Sequence, residues 1–236
     1  MKYQRILLKL SGEALAGSDG HGISSTILSD FTREIKELTT LGVQLGIVIG
    51  GGNIHRGLAG AAGGMDRSVS DHMGMLATVI NSIALQDSLA RNGVKAKVLS
   101  SIEMNEIVEG FSYRQAMEYL EQGYVVIFAG GTGNPYFTTD SASALKACEI
   151  GAQVLLKATK VDGVYNKDPM KHKDAVRYNR LSFNDALAQN LKVMDLTAFA
   201  MCMENNIDII VFDTFVAGNM KKIALGENVG TIVTNN

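Results

Sequence analysis

The sequence predicts an α/β fold, a three-layer αβα sandwich around a mainly parallel, twisted sheet. Three observations predict it. Short β-branched or leucine-rich runs alternate with segments of helical period along the chain, the order that lays crossover helices on both faces of a parallel sheet. Glycine is in excess, 25 in 236 residues, where average usage gives about 17, and much of that excess sits just past the apolar runs. Proline is scarce, only Pro135 and Pro169, so no proline-rich linker divides the chain. Without a composition break, residues 1–236 read as one domain, with two ligand lobes on the halves of one sheet.

Each element has a local signal. Arg5–Leu10 reads as a strand. Apolar residues then recur at Ile27, Leu28, Phe31, Ile35, Leu38 and Leu41, a helical stripe that Gly42 is placed to end. A strand at 43–49 runs directly into Gly50-Gly51-Gly52. Residues 68–92 have helical spacing through Val69, Met73, Leu76, Ile80, Ile83 and Leu89, closed by Gly93. That stripe suits a core face and a subunit interface equally. A strand at 95–99, a helix at 112–122 and a strand at 124–129 lead into a second glycine cluster, 130–135. A short helix at 140–150 and a strand at 154–158 follow. Beyond a polar excursion at 162–179 come helices at 183–189 and 196–205, a strand at 208–212, and a last short helix and strand ending near Val233.

Composition excludes several classes. Lys plus Arg (22) nearly balances Asp plus Glu (24), for a formal net charge of −2, and no like-charged run reaches five residues. Nucleic-acid and membrane-surface binding are disfavoured, since both normally show a basic excess or stripe. Cys148 and Cys202 lack the spacing of a disulfide scaffold or a structural zinc site. The N-terminal apolar run, 6–8, is cut by Lys9 and is too short for a signal peptide. The longest uncharged stretches, 38–54 and 122–139, are too rich in Gly and Thr for a spanning helix. The expectation is a cytoplasmic protein.

Glycine turns past strand ends are where open α/β sheets bind ligands, because backbone N–H groups face the crevice there and glycine lets a phosphate approach. Three such turns occur: Ser11-Gly12, 50–53 and 130–139. Neither the G-x-x-x-x-G-K-[ST] nor the G-x-G-x-x-G fingerprint is present. Lys9 falls at the end of the first strand, either solvent-facing or inward and requiring a partner. Inward, it has the charge a transferring phosphoryl group needs. Arg56 reads either as a bidentate phosphate ligand or as a surface arginine. Asp140, Asp71 and Asp195 sit at or near helix starts, where capping is the plain explanation. The four histidines have neither metal-ligand nor triad spacing, and His172 reads as solvated. Methionines such as Met73, Met75, Met201 and Met203 read as core filler.

Six segments together resemble bacterial uridylate kinases, a family of the amino acid kinase fold. They are Lys9-Leu10-Ser11-Gly12-Glu13-Ala14-Leu15; Gly50-Gly51-Gly52-Asn53 with Arg56-Gly57; Asp71-His72-Met73-Gly74-Met75-Leu76-Ala77-Thr78; 131–140; 157–165; and Lys192-Val193-Met194-Asp195-Leu196. The resemblance covers essentially the whole chain with the motifs in order, and the T-G-N-P-x-F-T-T-D stretch is the most specific. It implies phosphoryl transfer from ATP to UMP with Mg²⁺ required. By position, Lys9, Leu10, Ser11, Gly12, Gly52 and Arg56 would hold the ATP phosphates, and Thr159, Tyr165 and Asp168 would bound adenine and ribose. Gly51 would hold UMP with Thr132, Gly133, Asn134, Pro135, Tyr136, Phe137, Thr138 and Thr139, and Asp71 would take the ribose hydroxyls. Lys9, Arg56, Asp140 and Asp195 would form the catalytic set, Asp140 organising the lysine; metal ligands stay unassigned. The resemblance further implies a homohexamer, with GTP as activator through 17–22 and UTP as inhibitor. An amino acid or carbamate kinase of the same fold, or a non-catalytic nucleotide-binding protein, is the alternative.

Overall fold

The structure, a computed structural model, describes residues 1–235. In chain order its elements begin with β1 (Arg5–Leu10), α1 (Gly12–Leu15), α2 (Ser25–Thr40), β2 (Gln44–Ile49), α3 (Gly57–Ala62), α4 (Arg67–Arg91) and β3 (Ala96–Ser100). They continue with β4 (Glu109–Gly110), α5 (Tyr113–Glu121), β5 (Val125–Ala129), α6 (Thr139–Glu149) and β6 (Val154–Thr159). The last are β7 (Arg180–Ser182), α7 (Phe183–Ala188), α8 (Leu196–Glu204), β8 (Asp208–Asp213), α9 (Asn219–Leu225) and β9 (Thr231–Thr234). The strands form one nine-stranded sheet, ordered β4-β3-β5-β2-β1-β6-β8-β9-β7. Every pairing is parallel except β8 with β9.

Period-two alternation divides each central strand between two cores. Ile6, Leu8 and Leu10 of β1 face the layer of α2, α4 and α9, packing with Phe31, Ile35, Leu89 and Ile223. Leu7 faces the layer of α5, α6 and α8, with Leu120, Ala144, Ala147 and Phe199. Lys9 falls on the Leu7 side. These are the three layers expected. The strand order also reverses at β1: β2, β5, β3 and β4 extend to one side, and β6, β8, β9 and β7 to the other. The crevice past such a switch point is where this architecture places ligands.

Four expectations are corrected. The stripe read on 68–92 is a core face only at its end: Leu89 is buried and Ile83 packs on the core, but Val69, Met73, Leu76 and Ile80 are 52%, 40%, 47% and 51% exposed. Helix α4 instead packs through Met75, Val79, Leu85 and Leu89 mixed with Ser70, Ala77, Thr78, Asn81, Ser82 and Ser88. Small side chains let it lie close to its neighbours, as where Ser88 Oγ meets Thr32 Oγ1 of α2 at 2.7 Å. Met73, read as core filler, is therefore at the surface, whereas Met75 is buried. Asp140 does not cap α6; Thr138 does, accepting from the amides of Asp140 and Ser141 at 3.0 and 3.2 Å. Finally, α1, α3, β4 and β7 carry too few residues to show a period, and the excursion 162–179 folds back through an antiparallel bridge between Tyr165 and Arg177.

Candidate active site

Lys9 and Lys157 are register partners on the adjacent parallel strands β1 and β6, so their side chains emerge side by side on one face. Asp140, in the first turn of α6, lies over both. Its Oδ1 is 3.0 Å from Lys9 Nζ and its Oδ2 2.7 Å from Lys157 Nζ. Lys157 also donates to the Val193 carbonyl at 2.5 Å. All three side chains are nearly buried, 13–15% exposed. Burial pushes the Asp140 carboxyl up, but the two ammonium groups outweigh it and hold its pKa below the usual range. Burial is also the main cause of a lowered pKa at Lys157, opposed by Asp140 and assisted by repulsion from Lys9. Asp140 bridges the two lysines, and Asp195 adds a second negative charge that favours the charged form of Lys157.

Asp195 caps α8, accepting from the Ala198 amide at 2.9 Å, as its position foretold. The same carboxylate accepts from Ser141 Oγ at 3.0 and 3.1 Å and from Thr138 Oγ1. The N-termini of α6 and α8 are thereby locked together beside the lysine pair.

A cleft of about 420 Å³ opens on the β2 and β5 side. Gly51, Gly52, Arg56, Asp71, Thr132 and Asn134 line it, with Phe137, Thr138 and Thr139. Its floor depends on close approaches that only glycine allows. A Cβ on Gly12 would lie 2.2 Å from the Gly50 carbonyl oxygen, and one on Gly51 would lie 2.6 Å from that of Gly74. Buried amides hold the loop: Asn81 donates to the Gly50 carbonyl at 2.8 Å and to Asn53 Oδ1 at 2.7 Å, and Asn53 donates to the Gly22 carbonyl at 2.7 Å. Thr78 Oγ1 accepts from the Gly130 amide at 2.8 Å, tying the second glycine turn to α4. Asp71 accepts from Arg67 Nε and from the Tyr136 amide, each at 2.8 Å.

A second cleft, about 560 Å³, opens on the β6 and β8 side; Thr159, Tyr165 and Asp168 line it together with Lys157, Lys192 and Val193. Thr159 Oγ1 turns the chain by bonding across Val161, donating to its carbonyl at 2.7 Å. Tyr165 donates to Asp162 at 2.6 Å, and Asp168 Oδ1 caps the turn at the Met170 amide, 2.9 Å.

The remaining expected residues divide. Leu10 is a core side chain, and it serves the site through its carbonyl, which accepts from the Gly50 amide at 3.0 Å. Ser11 occupies the cap position of α1 without a side-chain capping bond. Gly52 and Arg56, expected at the ATP phosphates, line the first cleft, and Arg56 pairs with Glu13 at 2.7 Å. Gly133, Pro135 and Tyr136 shape the loop rather than line the cleft: Gly133 packs against the Ser101 carbonyl, and the Tyr136 ring is 66% exposed. His172 is exposed.

Sequence reasoning missed Lys157, Ser141, Arg67, Thr78 and Asn81. Lys157 carried the same signal as Lys9, a lysine inside an apolar strand, VLLKAT. Arg67 stands four residues before Asp71, the spacing of a helical ion pair. Thr78 closes the 71–78 segment of the resemblance without a role being assigned to it, and Ser141 and Asn81 carry no sequence signal that separates them from surface polar residues.

Two clefts flanking a nearly buried lysine pair suit the joining of two polyanions, the requirement of phosphoryl transfer. The amino acid kinase family model matches residues 4–213, and the chain belongs to that family. Among solved structures it is similar to the UMP kinase of Bacillus anthracis, at 39% identity over 100% of this chain and 98% of that one, with a TM-score of 0.97. It is also similar to the UMP kinase of Ureaplasma parvum (39% identity, 99% and 100% coverage, TM-score 0.93). The uridylate kinase of Archaeoglobus fulgidus is more distant, at 27% identity, 97% and 99% coverage and a TM-score of 0.75.

Proposed function

We propose that this chain transfers the γ-phosphate of ATP to UMP, giving ADP and UDP. One observation carries the reading: the Lys9–Asp140–Lys157 cluster stands between two clefts, Lys157 lining the one with Thr159, Tyr165 and Asp168, and Asp140 directly following Thr138 and Thr139 of the one with Asp71. UMP occupies the first and ATP the second, on one amino acid kinase domain spanning 1–236. The full-length similarity to two UMP kinases at 39% identity supports this acceptor over an amino acid or carbamate. The intact Lys9–Asp140 pair supports an enzyme over a nucleotide store.

In this mechanism the UMP phosphate oxygen attacks the γ-phosphorus in line, and the bond to the β,γ-bridging oxygen breaks. Lys9 neutralises charge developing on the transferred group, and Asp140 holds Lys9 and Lys157 in place. The amides after Gly12 and Gly50, with Arg56, cradle phosphates. Asp195 supports Thr138 and Ser141. Mg²⁺ enters with ATP as part of the substrate. Among the described residues no group of three His, Cys, Asp or Glu side chains could hold a metal, and both Asp140 oxygens face lysines. Phosphate oxygens and water would complete the Mg²⁺ shell, and no protein ligand is assigned to it.

Further parts of the reading concern assembly and control. The exposed Val69, Met73, Leu76 and Ile80 stripe is a subunit contact of a homohexamer. GTP activates through 17–22, which the Asn53–Gly22 bond joins to the phosphate loop, and UTP inhibits. No helix among the described residues is long and apolar enough to cross a membrane, in keeping with work in the cytoplasm. Nucleic acid is not a partner.

The test is ADP release from ATP and Mg²⁺ with UMP, CMP, dTMP, AMP, GMP and acetylglutamate offered separately. UMP should exceed every other acceptor by far. Turnover of another acceptor without UMP would overturn the substrate, and nucleotide binding without any turnover would overturn the enzyme. Sedimentation of Leu76→Glu beside the wild type tests the assembly; an unchanged oligomer would remove α4 from the contact.

A further inference from the structure

We infer that Arg67 is the positioning residue that sets acceptor-sugar specificity, by fixing the Asp71 carboxylate and the Tyr136 turn as one unit. This rests on reading the Asp71 cleft as the UMP site. Arg67, at the start of α4, holds Asp71 Oδ2 through Nε at 2.8 Å. The same oxygen accepts from the Tyr136 amide at 2.8 Å. Tyr136 has φ +72°, a left-handed conformation that a non-glycine side chain adopts only when its surroundings enforce it. Two contacts enforce it here: the amide bond to Asp71, and the Arg67 guanidinium 5.1 Å from the ring centroid. One side chain thus holds both walls of the cleft, α4 and the T-G-N-P loop.

The consequence is chemical. With Oδ2 committed to two donors, Oδ1 is the oxygen left for a ligand hydroxyl. It sits against Gly57, where a Cβ would come within 2.2 Å, so the carboxylate has little freedom to turn. A fixed acceptor discriminates a sugar bearing the matching hydroxyl from one lacking it, whereas a swinging carboxylate finds other partners. Lysine keeps the charge but has neither the planar fork nor the ring stacking.

The experiment compares kcat/KM for UMP and for 2′-deoxy-UMP in the wild type, Arg67→Ala and Arg67→Lys, with melting temperatures to establish that each variant is folded. The wild type should prefer UMP. Arg67→Ala should lose at least tenfold of that preference, mostly through KM for UMP, with 2′-deoxy-UMP changed little. Arg67→Lys should fall between. A preference retained in both variants, or an equal loss with both acceptors, overturns the inference and leaves the site assignment standing. A wild type indifferent to the 2′-hydroxyl overturns the Asp71 assignment itself.

Discussion

Lys9 and Lys157 stand opposite one another on β1 and β6, two like charges at paired positions on one buried face, and Asp140 bridges both. A sheet does not tolerate such a pair without compensation. The compensation comes from a helix whose own cap, Thr138, frees the Asp140 side chain for the task. Fold and chemistry share these atoms: the contacts that make the lysines tolerable also hold them between the two clefts.

Removing the bridge should therefore be costly. Asp140→Asn removes the carboxylate that bridges both lysines, leaving only Asp195 near Lys157, and should destabilise the protein by about 3 kcal/mol, the lower end for breaking a buried pair because each side chain keeps slight exposure. Adding Lys157→Met should restore part of that loss, since the two changes share one interaction. Urea denaturation of both single variants and the double variant measures this. Simple additivity would contradict the shared bridge.

The same carboxyl makes stability depend on acid in a definite sense. Its folded pKa lies below the unfolded value of about 3.9, so its contribution is complete above that value and is lost as pH falls through the lower folded one. The urea midpoints of wild type and Asp140→Asn should stay apart near neutrality and converge as pH falls below about 4. On the alkaline side Lys157 titrates below the roughly 10.4 of free lysine. Because its folded pKa is lowered, the unfolded chain binds the extra proton in that window, and this group's contribution to stability rises with pH there. A gap between the midpoints that does not change with pH would remove Asp140 from the acid transition.

Lys9→Ala should lower kcat by a factor corresponding to about 3 kcal/mol, the worth of one preorganised electrostatic donor, with KM for both nucleotides changed much less. Single-turnover kinetics at saturating ATP and UMP separates the chemical step from binding. Activity within a few-fold of the wild type would take Lys9 out of the mechanism.

Gly12→Ala is a steric test of the phosphate loop. The new Cβ would meet the Gly50 carbonyl at 2.2 Å and Asn53 Oδ1 at 2.7 Å, and a backbone carbonyl on one side with a buried, hydrogen-bonded amide on the other leaves little room to yield. Overpacking of this kind costs about 1–3 kcal/mol, and thermal denaturation should show it together with weakened nucleotide binding. Asn81→Ala should cost a similar amount, roughly 1–3 kcal/mol, by leaving the Gly50 carbonyl and Asn53 unsatisfied in a buried place. If both variants melt and bind as the wild type does, the loop is not held in the way described.

The sequence alone determined what depends on neighbours in the chain. Strand and helix periods, glycine stops at Gly42 and Gly93, and the cap at Asp195 are local, and they sufficed for the layers and for the glycine turns at strand ends. The absence of the P-loop and dinucleotide fingerprints, with six motifs in order, was enough to identify the family. Tertiary structure decided what depends on partners far along the chain. Lys157 reads like Lys9, but its meaning needs the β1–β6 register and a helix that arrives from residue 139. Asp140 and Asp71 look like helix-start acids until Lys9, Lys157, Arg67 and the Tyr136 amide are brought to them. The α4 stripe shows the limit from the other side: periodicity locates an apolar face but says nothing about what covers it. Here small and polar residues pack inward because close helix contact and the buried bonds to Gly50 and Gly130 outweigh the hydrophobicity of Val69, Met73, Leu76 and Ile80.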